Sequence, residues 1–164
     1  MGDLGERTAQ QLTQISDRFK KFNHLLEQKF SPSEITFGRY YSAAERTFLA
    51  VLDNLNRNAT SLENLDAIDP NYIEEQLKKL SIDPSKNREE INSFNERKML
   101  REKQTNIVNE ILSFNEKAIT DFDRVSTALS EIKTQSGHSD VSLDSAMEEL
   151  TELANRAKKY SIIS

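Results

Sequence analysis

Large apolar residues return every three or four positions along most of this chain, and few residues interrupt the pattern. In the first thirty positions they are Leu12, Ile15, Phe19, Phe22, Leu26 and Phe30. A side chain comes back to the same side of an α-helix after 3.6 residues, and to the same side of a strand after two, so this spacing predicts an amphipathic helix. With four Gly and three Pro in 164 residues, the chain lacks the turn residues that a sandwich of short strands needs. The expectation is an all-α protein.

Five helices follow from the pattern, at about 6–30, 32–65, 70–80, 84–135 and 140–160. Ser31-Pro32-Ser33-Glu34 predicts the second helix start: Ser31 as cap, Pro32 at the first helical position, and Glu34 reaching back. The stripe Tyr41, Ala44, Phe48, Val51, Leu55, Ala59 and Leu62 recurs at steps of three and four, which predicts a coiled-coil-like seam, with Tyr40 and Leu52 widening it. Asp69-Pro70 and Asp83-Pro84 repeat one helix-start device. No Pro or Gly stands between Pro84 and Gln135, so the fourth segment is either one very long helix or two in tandem. Its stripe is Ile91 and Phe94, then Val108, Ile111, Ala118, Phe122, Val125, Leu129 and Ile132. Between Phe94 and Ile107 the only large apolar residues are Met99 and Leu100, so this stretch is expected to project into solvent, cross a bundle end or meet a second chain. Gly137 is the expected cap of that helix, Ser136–Ser142 a polar turn, and Leu143, Met147, Leu150, Ala154, Ala157 and Tyr160 the last stripe. Acidic Asp144, Glu148 and Glu149 early in that helix, with Arg156, Lys158 and Lys159 late, complement its dipole.

Rods with one apolar side must cover one another. Short connections make an elongated antiparallel bundle of four to five helices, in a single domain over 1–164, the simplest solution. Helices of unequal length leave overhangs, and another copy of the chain is the simplest cover for those.

The chemistry that the residues exclude is as informative. No cysteine is present, which removes disulfides, thiol catalysis and Cys-based zinc sites. A net charge of −5, from 22 basic and 27 acidic residues, opposes nucleic-acid binding unless the basic residues segregate. They do not: Arg97, Lys98, Arg101 and Lys103 are interleaved with Glu96 and Glu102. No apolar leader or membrane-length run occurs, which predicts a cytoplasmic protein and makes the sequon at Asn58 accidental. A dinuclear metal centre in a bundle needs paired Glu-x-x-His motifs, but Lys21 precedes His24 by three residues and Gln135 precedes His138 by three. Glu148 and Glu152 share a helix face without the converging oxygens that a divalent ion requires. Glycines at 2, 5, 38 and 137 build no phosphate-binding loop, and no G-x-S-x-G elbow occurs. No catalytic, cofactor-binding or metal-binding residue is therefore assigned, and no cofactor.

What remains is surface. Phe30, Phe37, Tyr40, Tyr41 and Phe48 bracket the first helix junction, near Phe19 and Phe22, where they are either core rings or anchors for a partner helix. The candidate partner-binding residues are Phe19, Phe22, Phe37, Tyr40, Tyr41, Met99 and Leu100. The expected function is a noncatalytic adaptor or scaffold that binds a protein partner, including itself. One alternative lays the first helix on a membrane surface through Phe19, Phe22 and Leu26, with Lys20 and Lys21 beside the lipid. Another is a metal-dependent carboxylate enzyme.

Overall fold

Each apolar stripe lies on a helix. In the computed structural model, which describes residues 2–132 and 141–161 with side chains as far as Ala157, these are α1 (Asp3–Lys29), α2 (Ile35–Asp66), α3 (Pro70–Leu80), α4 (Arg88–Glu131) and α5 (Val141–Ser161). The expected cap at Gly137, His138, the helix end at 133–135 and the side chains of Lys158, Lys159 and Tyr160 lie outside the described residues. α5 starts at Val141, as the range of about 140–160 expects, so Val141 and Ser142 are helical and not part of the polar turn.

Helix starts follow the capping chemistry with two shifts. Asp69 accepts from the N–H groups of Asn71 (2.9 Å) and Tyr72 (3.4 Å), with Pro70 at the first helical position. The Glu34 carboxylate reaches back to the Ser31 N–H at 2.7 Å. Pro32 and Ser33, however, form a turn, held by the Ser31 and Ser33 hydroxyls 2.9 Å apart, and α2 begins only at Ile35. Asp83 likewise caps a single turn, accepting from the Lys86 N–H at 3.4 Å. Asn87 then gives its amide to the Leu80 carbonyl at the end of α3, and α4 starts at Arg88.

Consecutive long helices run antiparallel, and the two hairpins, α1–α2 and α4–α5, lie one on the other. Across that contact neighbours run parallel. Gln11 donates to the Leu112 carbonyl (2.9 Å) and Lys29 to that of Ile132 (2.8 Å), so α1 follows α4 upward. Tyr40 donates to Asp144 and Thr47 to the Leu150 carbonyl (3.0 Å), so α2 follows α5 in the same way. Apolar spacing fixes which face is buried, not which helix covers it, and this stacking of hairpins is a tertiary choice.

The core runs through Ile15, Phe22, Leu26, Val51, Phe122, Val125, Leu143 and Leu150, all fully enclosed. Two buried lines differ from the expected stripes. In α1 the inward position is Gln11, and Leu12 is 47% exposed. In α2 the line turns from Leu55 to Asn58 and Leu65, leaving Ala59 exposed, so no strict seven-residue seam runs the length of this helix. The reason is a buried polar chain. Asn115 on α4 donates to the Gln11 Oε1 at 3.1 Å and accepts from the Asn54 amide of α2 at 3.4 Å. Amides enclosed in a core need partners, and each one found here fixes the register of the helix that carries it.

The fourth segment is one helix of 44 residues, about 66 Å long at 1.5 Å per residue. α1 begins level with its middle, where Leu4 packs against Val108 and Leu112. The first part of α4 therefore extends past the four-helix body. There α3 folds back on it and, among the described residues, packs against no other helix.

Candidate functional site: the α3–α4 overhang

The overhang is held by a small set of contacts. Ile73 is buried, the Tyr72 ring meets the Phe94 ring edge-on at 6.0 Å, and the Arg97 guanidinium lies 5.2 Å from the Phe94 centroid. At its root Arg101 donates to the carbonyls of Leu65 (2.6 Å), in the last turn of α2, and Ile68 (2.9 Å), just beyond it. The far side of α4 has no such cover. Met99 is 69% exposed and Leu100 50% exposed, with Glu96 and Lys103 beside them in solvent. The sequence expectation of a projecting segment around these two residues matches where they stand.

The aromatic candidates divide. Phe22 and Tyr40 are enclosed in the body: Phe22 meets Phe122 edge-on at 6.1 Å, and Tyr40 meets Phe30 at 5.9 Å. Phe19, half-buried, stacks on Phe48 at 4.4 Å, and Phe37 stacks on Tyr41 at 6.2 Å. The structure thus brings Phe19, Tyr41 and Phe37 into one line of rings between α1 and α2, and keeps them apart from Met99 and Leu100. Lipid contact through Phe19, Phe22 and Leu26 would require α1 to leave the bundle, because Phe22 and Leu26 are wholly enclosed.

Two other surfaces have shape. Between α1 and α2 a groove of about 480 Å3 is lined by Gly5, Ala9, Leu12, Ala59 and Leu62, with Glu63 and Asp66 at one end. Leu12 and Ala59, which the helical spacing places in the core, line this groove instead. At the opposite end of α2, Arg39 donates to Asp144 at 2.9 Å and Tyr40 donates to the same carboxylate oxygen. Burial and the bond to Asp144 both push the Tyr40 phenol above its ordinary value, against the pull of Arg39. A neutral phenol that donates to a carboxylate ties α2 to the first turn of α5, and both groups are occupied with each other.

Among the described residues no three His, Asp or Glu side chains converge as metal ligands, and no helix is long and apolar enough to cross a membrane. Asp121, the most enclosed carboxylate, lies 3.1 Å from Lys117 and 3.0 Å from Arg124, and Arg124 also pairs with Glu149. The first two pairs lie within α4, and the last ties α4 to α5. Compared with models of protein families, with curated proteins and with solved structures, the chain finds no match.

Proposed function

We propose that this is a noncatalytic interaction protein, an adaptor or scaffold whose α3–α4 overhang docks a protein partner. The carrying observation is that α4 runs past its body with Met99 and Leu100 in solvent, while its other half buries Val108, Ile111, Leu112 and Phe122. Solvent-exposed apolar residues on a rigid helix, rimmed by charge, are what a docking surface offers before its partner arrives. The four-helix body serves as the mount. Its ion pairs and buried amides are spent on holding helices together.

Immobilised protein exposed to an extract of its native source tests the reading. The wild type and the groove variant Ala59→Glu should retain the same protein, which Met99→Glu/Leu100→Glu loses while its circular dichroism stays unchanged. Retention of an identical set by all three proteins would count against the overhang as the docking surface.

A further inference from the structure

We infer that the occupant of the exposed α4 face is a second copy of this chain, crossing it antiparallel with Met99 and Leu100 at a two-fold axis. The inference rests on the reading of the overhang as a docking surface and names its partner. Glu96, Met99, Leu100 and Lys103 stand at positions i, i+3, i+4 and i+7, which on a helix is one continuous stripe. All four are exposed. The stripe lies roughly half a turn from Phe94 and Arg101, the residues that hold α3 and the end of α2. The overhang's own neighbours therefore leave it open.

Its charges are self-complementary. A two-fold axis between positions 99 and 100 sets Met99 against Leu100 of the second copy and Glu96 against its Lys103, and then repeats both contacts. Parallel pairing in register would instead set Glu96 against Glu96 and Lys103 against Lys103. Neither residue forms an ion pair within the chain among the described residues, so both charges are available. An isologous contact of this kind closes at two copies and does not propagate into a filament. With two apolar side chains from each copy and two exposed ion pairs in all, it is a weak dimer that depends on concentration and salt.

Sedimentation equilibrium on the full chain, from about 10 µM to about 1 mM protein and at about 20 mM and 500 mM salt, reads the contact directly. The expected result is a monomer–dimer equilibrium that weakens at high salt. Glu96→Lys alone and Lys103→Glu alone should each weaken it by about tenfold, because each sets like charges opposite one another at two places. The double reversal Glu96→Lys/Lys103→Glu should restore the wild-type dimer, a rescue that only antiparallel self-pairing produces. A wild type that stays monomeric at 1 mM and low salt, on the order of the weakest specific affinities, overturns self-pairing. So does a dimer indifferent to the single reversals. In either case docking of a different protein on the same face still stands or falls on the capture experiment.

Discussion

The two halves of α4 face opposite situations within one unbroken helix. From Val108 to Leu129 its buried side chains come from almost every turn and are covered by α1, α2 and α5. From Arg88 to Leu100 its neighbour is α3, until Arg101 reaches the end of α2, and among the overhang's described large apolar residues Ile73 is the buried one. Helix formation in the first half is carried by good helix formers such as Glu, Lys, Arg, Met and Leu. In the second half it is carried by packing. A continuous rod of hydrogen bonds thus spans a region that stabilises the protein and a region that presents side chains to the outside.

The largest expected effect falls in the body. Phe122 lies edge-on to both Phe19 and Phe22 and has no exposed surface. Phe122→Ala should cost about 3–5 kcal/mol, read as a lower midpoint in denaturant unfolding. Native-state hydrogen exchange sharpens the contrast: amides of 108–129 should open only with the whole fold, and those of 88–100 through local opening. Uniform protection along α4 would erase the distinction between its halves.

Next in size is the polar chain in the core. Asn115→Ala leaves the Gln11 Oε1 and the Asn54 amide without their partner in an enclosed site, a loss of about 1–3 kcal/mol. Replacing Gln11, Asn54 and Asn115 together by apolar residues should restore stability and blur the register of the helices, visible as broadened amide resonances. Sharp resonances in that triple variant would show that the amides do not set the register.

These amides also mark where the sequence stops being legible. Helices could be read because burial selects a period of 3.6, and Phe122, Leu129 and Leu150 stand where that period puts them. Gln11 and Asn58 occupy the same inward positions. A lone amide in a helical pattern looks like surface, so the spacing points to Leu12 and Ala59 where Gln11 and Asn58 are the buried residues. Helix starts were legible at Asp69, where the cap acts within the local chain, and less so at Pro32 and Pro84, where one further turn precedes the helix. The stacking of one hairpin on the other was not legible at all, because every stripe could be covered by several neighbours. Of the candidate site, Met99 and Leu100 stood out through isolation, having no apolar residue one turn away. Phe22 and Tyr40 carry the same composition signal as an exposed anchor and lie in the core.

A smaller effect is expected where α2 meets α5. Tyr40→Phe removes the bond to Asp144 and leaves Arg39 on that carboxylate, costing about 1 kcal/mol. Because the folded state holds the phenol above its unfolded value of 10.0, the contribution is complete below about pH 10 and fades as pH rises through the raised value. Unfolding followed across that range should show the wild type losing its advantage over the variant only in alkali. A gap that closed on acidification instead would mean that Asp144, not the phenol, governs the contact.

The smallest effect on stability belongs to the overhang's exposed face. Met99→Ala removes a side chain that is mostly in water already, and Ala is the better helix former, so the melting temperature of the dilute protein should change by less than the equivalent of about 0.5 kcal/mol. Stability and association then separate within one helix: Phe122 answers to the first and Met99 to the second. If Met99→Ala lowered the melting temperature of dilute monomer as much as Asn115→Ala does, the side chain would be supporting the fold of its own chain. The face it stands on would then belong to the body's packing.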